Sequence, residues 1–400
     1  MSRKRLLFLA EGATMQHFAR PVAIADALDG DRYEIHLYSP SRYFKYLANK
    51  PYSTGELQTM PGERFLRNLS RGAPLFPADV LRDYVKEERQ LIRKLRPDLV
   101  IGDLRFSLPV SARLEGVPSA ILMNAYWSPH APRRSIIPEL LLTRLIPPRW
   151  LSGVYRLAEP LVMAAHVRDM NTIRQEWGLA PLEPDPRFMY VDGDYVLYPD
   201  VPDFVPVINP PAHHRYIGPC LWQVPEERPT WWQEMLADPR PKVFVSLGSS
   251  GPVRILPRLL RVLARLPVAI VMTTSGRSAP PDRRGVYVAP LLPFSETAAA
   301  SKLVVSHGGS SGFYPAIAAG TPVLGVPSNA DQQISAAVLV SSGAGLSLRV
   351  EEASETRLVE TIGRMLSDRR FSDAAIRWKK VFSIADSKTL FQEFLTSAGL

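Results

Sequence analysis

Short apolar runs separated by stretches of helical periodicity recur along the whole chain. In the first half, Arg5–Ala10, Glu34–Tyr38, Asp98–Ile101, Ser119–Met123 and Tyr195–Leu197 have the length and aliphatic content of buried strands. Leu81, Tyr84, Val85, Glu88, Leu91, Ile92 and Leu95 fall at three- and four-residue spacing, which predicts a helix face that is apolar except at Glu88. The second half repeats the theme with Val243–Leu247, Val268–Met272, Val286–Val288, Leu303–Val305 and Val323–Val326. Strands of this type alternating with helices predict a parallel sheet covered on both faces. Two such series predict two doubly wound α/β domains.

Proline marks the joins. The chain holds 38 prolines in 400 residues, about twice the usual ~5%, and they cluster at 129–149, 181–186 and 199–211. The expected division is an N-terminal domain over 1–205, a linker over 206–240, a second domain over 241–385 and a C-terminal helix over 386–400 with the N-terminal domain as its packing partner. Large apolar residues crowd 136–164, including Ile136, Leu140, Leu141, Leu142, Leu145, Trp150, Leu151, Val154, Tyr155, Leu161, Val162 and Met163. That region reads either as ordinary core or as an acceptor pocket or membrane-facing lip.

Composition narrows the class. With 46% hydrophobic and 22% charged residues, the chain has the balance of a folded protein. The net charge of +9 comes from basic residues spread along the chain, and no nucleic-acid motif accompanies it, so nucleic-acid binding is set aside. A solvated Arg-rich surface and attraction to an anionic membrane or substrate stay open. Cys220 is the only cysteine, which excludes an intrachain disulfide and a thiolate zinc cluster. The apolar run Leu6–Ala10 is too short for a signal peptide, and no stretch approaches the ~18 residues of a membrane span. The expectation is a soluble cytoplasmic enzyme, with peripheral contact at the inner membrane face as an option.

Candidate chemistry sits at strand ends. Strand-like Leu303–Ser306 runs into His307-Gly308-Gly309-Ser310-Ser311-Gly312 and then into helix-forming Ala316–Ala319. Glycines there let a ligand approach the backbone, and the helix N-terminus favours an anion. Tight packing alone would use the same residues. Ser246-Leu247-Gly248-Ser249-Ser250-Gly251 is a second such turn, and ligands collect beyond the carboxyl ends of parallel strands. In the first half, His17 follows the first strand and suits general-base work, or simple capping or packing. Asp103, at the end of another strand, is placed to orient it or to cap a helix. Asp29-Gly30-Asp31 and Asp192-Gly193-Asp194 read as glycine-centred turns rather than metal sites, because each leads into a strand.

These residues resemble the family 1 glycosyltransferases, which include UDP-glycosyltransferases and bacterial macrolide and rhamnosyl transferases. That family's donor box runs W-x-P-Q, H-x-G-x-N-S-x-x-E, D-Q. Pro290, His307, Gly309, Asp331 and Gln332 match it, with an ungapped spacing from His307 to Asp331-Gln332. Pro97-Asp98 through Asp103 matches the family's P-D-x-x-x-x-D strand, whereas His17 lies one residue farther from Pro21 than its G-H-x-x-P loop requires. The resemblance implies a GT-B fold, two Rossmann-like domains facing a central cleft, and inverting, metal-independent sugar transfer without a cofactor. His17 and Asp103 would be catalytic. Gly248, Ser249, Ser250, His307, Gly308, Gly309, Ser310 and Ser311 would hold the diphosphate, and Asp331 and Gln332 the sugar. Tyr126, Trp127 and the 136–164 region would meet a hydrophobic small-molecule or lipid acceptor.

The nucleoside end departs from the pattern. Val288 replaces the base-stacking Trp, Leu291 the first Gln, Ser311-Gly312 the Asn-Ser pair and Pro315 the ribose-binding Glu. Losing that carboxylate is compatible with a deoxyribose donor such as a dTDP-sugar, with UDP-sugars as the other option. The competing functions are a nucleotide-sugar epimerase on the same scaffold and a non-catalytic GT-B binding partner.

Overall fold

The computed structural model describes residues 3–132, 136–137, 143, 148–224, 226–248, 251–274 and 285–400, with backbone only at 70, 148, 149 and 152. The first half builds β1 (Lys4–Ala10), α1 (Met15–Ala25), β2 (Tyr33–Ser39), β3 (Ser53–Glu56), α2 (Gly62–Arg71), α3 (Ala78–Leu95), β4 (Leu99–Asp103), α4 (Leu108–Glu115), β5 (Ser119–Leu122), α5 (Pro148–Glu176), β6 (Tyr195–Tyr198) and β7 (His214–Tyr216). The second half builds α6 (Trp232–Ala237), β8 (Lys242–Ser246), α7 (Leu256–Leu263), β9 (Ala269–Thr273), β10 (Val286–Ala289), α8 (Phe294–Ala299), β11 (Leu303–Ser306), α9 (Ser310–Ala319), β12 (Val323–Gly325), α10 (Ala330–Ser341), β13 (Gly345–Ser347), α11 (Glu355–Ser367), α12 (Arg369–Ile384) and α13 (Ser387–Ser397).

Two compact units result. One comprises Met1–Ser135, Pro148–Trp222 and Ala385–Leu400, the other Ile136–Pro147 and Gln223–Ile384. Residues 206–222, read from sequence as part of a linker, thus belong to the first unit. Its sheet has the order β3-β2-β1-β4-β5-β6-β7, and the second sheet the order β10-β9-β8-β11-β12-β13. All pairings are parallel. In both sheets the winding direction reverses beside the first strand, between β1 and β4 and between β8 and β11. A crevice opens at such a switch point, because the loops leaving the two strands run to opposite faces.

The strands are apolar on both sides because helices cover both faces. Leu6, Leu7, Phe8 and Leu9 of β1 are all fully buried. Leu6 and Phe8 pack with Phe18 and Val22 of α1 and with Phe391 and Phe394 of α13, while Leu7 and Leu9 face Ile92 of α3 and Leu108 of α4. In the second unit Val243, Val245, Leu303 and Val305 pack with Leu259 of α7 and Leu358 and Ile362 of α11.

Three strands have no counterpart in the hydrophobic pattern. β3 reads Ser-Thr-Gly-Glu on an exposed edge, and β7 and β13 are each three residues long. These are edge strands, recruited by hydrogen bonding to a formed sheet rather than by burial of their own side chains. Glu88, the break in the α3 apolar face, is fully buried. Arg105 Nε donates to its Oε1 at 2.6 Å, Ser107 Oγ to the same atom at 2.6 Å, and Ser111 Oγ to its other oxygen.

Candidate functional site

In the first unit, the switch point between β1 and β4 brings His17 and Asp103 together. The helix α1 begins at Met15, so His17 lies in its first turn. His17 Nδ1 is 2.8 Å from Asp103 Oδ1. Asp103 is the last residue of β4 and is completely buried. A neutral imidazole that donates its Nδ1–H to a carboxylate presents Nε2 as the proton acceptor, the tautomer a general base requires.

Arg20 was missed in the sequence. It lies one helical turn beyond His17, so the two share a face of α1. Its Nε donates to Asp103 Oδ2 at 2.6 Å and its Nη2 to Oδ1 at 2.7 Å, a forked pair that is fully buried at the carboxylate. Attraction to Asp103 outweighs the cost of burial and holds the guanidinium firmly charged. Nη1 donates to Asn124 Oδ1 at 2.8 Å. Asn124 Nδ2 in turn donates to Asp200 Oδ1 at 3.2 Å, and Ala125 N to Asp200 Oδ2 at 2.6 Å. The signal in the sequence is a polar residue three beyond a candidate base on a helix whose neighbours are apolar.

Nearby, Glu11 directly follows β1 as a buried carboxylate. Burial raises its pKa, against the pull of Arg105, whose Nη1 donates to it at 2.8 Å. Tyr126 and Trp127 lie on the single turn Ala125–Trp127; Tyr126 is buried, and Trp127 stacks on Tyr190 at 4.8 Å between ring centroids. Of the apolar 136–164 region, Leu140, Leu141, Leu142 and Leu145 lie outside the described residues. Trp150, Val154 and Leu161 are more than two-thirds exposed, so the core reading fails there. The side of α5 turned to the core is carried instead by Val167, Met170 and Ile173.

In the second unit, the corresponding switch point brings Gly248 beside His307. His307 directly follows β11 and is buried. Glycines surround its ring: a Cβ on Gly309 would stand 2.7 Å from Nε2, one on Gly312 2.9 Å from Cε1, and one on Gly251 3.1 Å from its Cβ. Burial lowers the imidazole pKa to about 4, so the ring is neutral, and among the described residues Nδ1 has no hydrogen-bond partner. The helix that follows, α9, is capped by Gly309, which has no side chain to satisfy its first turn. An unpartnered ring nitrogen beside a helix N-terminus is a site for an anion.

The remaining donor candidates divide. Gly308 adopts φ +78°, a left-handed turn that favours glycine, and its carbonyl accepts from Ser335 Oγ at 2.7 Å. Ser310 is buried and Ser311 exposed in the first turn of α9. Asp331 is half-buried in the first turn of α10. Gln332 is buried, with its Oε1 accepting from Ser328 N and Oγ at 3.0 Å each. Ser249 and Ser250 lie outside the described residues. In the second Asp-x-Asp triplet both carboxylates are engaged internally, Asp192 with Arg113 at 2.9 Å and Asp194 with Ser119 N and Oγ at 2.8 Å. Asp29 accepts from Asp31 N at 2.9 Å. Among the described residues no helix is long and apolar enough to cross a membrane.

Two Rossmann-like parallel sheets in one chain, each with a histidine at its switch point, are the ground plan of the GT-B glycosyltransferases, and the chain is an enzyme of that class. Residues 257–384 match the Erythromycin biosynthesis protein CIII-like C-terminal domain. The chain is 40% identical over 381 residues to a PGL/p-HBAD biosynthesis glycosyltransferase of Mycobacterium tuberculosis, covering 95% of this chain and 89% of the relative. It is 40% identical over 384 residues to a PGL/p-HBAD biosynthesis rhamnosyltransferase of Mycobacterium bovis, covering 95% and 84%. The spinosyn rhamnosyltransferase SpnG complexed with thymidine diphosphate superposes with a TM-score of 0.69 at 16% identity, over 98% of this chain and 99% of that one. The chain belongs to the same glycosyltransferase family as the two mycobacterial relatives.

Proposed function

We propose that this glycosyltransferase moves a deoxysugar, rhamnose in the first instance, from a dTDP donor to a hydroxyl of a hydrophobic acceptor, with inversion and without a metal. The observation that carries the reading is the 2.8 Å contact of His17 Nδ1 with the buried Asp103. His17 Nε2 takes the acceptor proton as the acceptor oxygen attacks the anomeric carbon. The bond from that carbon to the β-phosphate oxygen breaks, and the nucleoside diphosphate departs with the electron pair. Attack opposite the leaving group inverts the anomeric centre.

The diphosphate binds at His307, Gly308, Gly309 and the first turn of α9, where neutral donors and the helix dipole take the part a metal plays elsewhere. Asp331 and Gln332 hold the sugar. Pro315 offers no carboxylate for a ribose 2′-hydroxyl, which favours deoxythymidine over uridine; the relative named as a rhamnosyltransferase and the thymidine diphosphate complex of SpnG support the same donor. Tyr126, Trp127 and the apolar side of α5 suit an acceptor of the PGL/p-HBAD kind that the relatives' names give.

The test is transfer from dTDP-rhamnose with product stereochemistry read by NMR. Inverted product, unchanged turnover in EDTA and tighter binding of dTDP than UDP by calorimetry are expected. Retained configuration, loss of activity on chelation or a preference for UDP would each remove the corresponding part of the proposal.

A further inference from the structure

We infer that Arg20 sets the pH range over which His17 accepts a proton, because it shares the Asp103 carboxylate with that histidine. The inference rests on the reading of His17 as general base, and Arg20 acts in it as a positioning residue. In a dyad of histidine and aspartate alone, the full negative charge of the carboxylate stabilises the imidazolium. Here that charge is divided. Asp103 Oδ1, which accepts from His17 Nδ1 at 2.8 Å, also accepts from Arg20 Nη2 at 2.7 Å, and Oδ2 accepts from Arg20 Nε at 2.6 Å. Arg20 Nη2 itself lies 3.4 Å from His17 Nδ1. A buried positive charge that close opposes formation of a second one on the ring.

Among the described residues no other group offsets it. Glu11 reaches His17 electrostatically but is bound by Arg105 at 2.8 Å. Asp200 is occupied by Asn124 and Ala125 N. Cys220, facing Arg20 and Asp103, has its thiol pushed up to about 12 by burial and stays neutral. Tyr126 faces Arg20 rather than His17 and Asp103. His17 therefore works as a base beside a neutralised aspartate and an arginine. Through Asn124 the same guanidinium is tied to the turn that carries Tyr126 and Trp127.

The experiment compares the pH profile of kcat/KM with an NMR titration of the His17 ring in the wild type, Arg20→Gln, Asp103→Asn and the double variant. Arg20→Gln moves the acid limb up by about one pH unit or more, and Asp103→Asn moves it down, since each leaves one charge unopposed. The double variant returns near the wild type, because the two charges cancel; it also leaves no buried ion unpaired should either single variant not fold. Asn124→Ala raises KM and leaves the limb in place. A limb and a ring titration that do not move in Arg20→Gln, or a double variant displaced as far as Asp103→Asn, overturn the inference. If the ring titration moves while the limb does not, the hold of Arg20 on His17 stands and the reading of His17 as base falls.

Discussion

The two switch points occupy the same place in two sheets of the same winding, and each presents a histidine, yet their surroundings are opposite. At the first, His17 sits in a lattice of full charges, with Asp103 and Arg20 against it and Glu11 paired to Arg105 behind it. At the second, His307 is walled by Gly248, Gly251, Gly309 and Gly312, is neutral, and among the described residues leaves Nδ1 unpartnered. A group that must gain and release a proton needs neighbours that respond to charge. A group that must receive a ligand's charge needs donors already in place and room for the ligand. The contrast teaches that topology places a site while the residues flanking it decide what it does.

The strongest way to break the comparison is His17→Ala. Transfer falls by about 10²–10⁴, while calorimetry shows dTDP binding unchanged; near-normal transfer would remove the distinction between the two histidines. Asp103→Asn attacks the charged site from its buried side. It leaves Arg20 without its partner, at a cost of about 3–5 kcal/mol in urea unfolding, and a stability change below about 1 kcal/mol would mean the pair is not buried as described. Gly309→Ala addresses the other site. Its Cβ falls 2.7 Å from His307 Nε2, so the ring shifts, and dTDP affinity drops by roughly tenfold or more, with the His17 ring titration unaltered.

Acid sharpens the contrast further. Burial is the first cause holding His307 and His214 at about 4, against an ordinary value of 6.5. The unfolded chain therefore binds more protons than the native one between those pH values, so stability is complete above about 6.5 and falls as pH drops toward 4. The His307 share has a slope of at most about 1.4 kcal/mol per pH unit. Urea midpoints at pH 7, 6 and 5 measure it, and His307→Asn flattens the curve. The smallest expected effect is donor choice: restoring the carboxylate with Pro315→Glu shifts relative affinity toward UDP by about tenfold or less.

Much of this was legible along the chain. Ten of the strands appear as apolar runs because both faces of each are covered, and a doubly buried strand has to be apolar throughout. The glycine-rich turn around His307 was legible because glycine is what lets a backbone crowd a histidine ring. His17 and Asp103 stood out as ionisable residues at strand ends. Arg20 did not, since an arginine on a helix is ordinarily solvated, and only burial against Asp103 makes it part of the site. Glu88 was visible as a break in an apolar face, without any hint that Arg105, Ser107 and Ser111 would satisfy it.

By itself, then, the amino-acid order determined the two α/β series, the glycine turns and the types of residue available for chemistry, because periodicity and backbone sterics act over a few residues. Tertiary structure alone decided which of them meet. It brought Asp103 to His17 across 86 positions, added Arg20 to the same carboxylate, and gathered glycines around the ring of His307. Such meetings depend on strand order and helix start, and these are set by burial summed over a whole sheet, which no local stretch of sequence records.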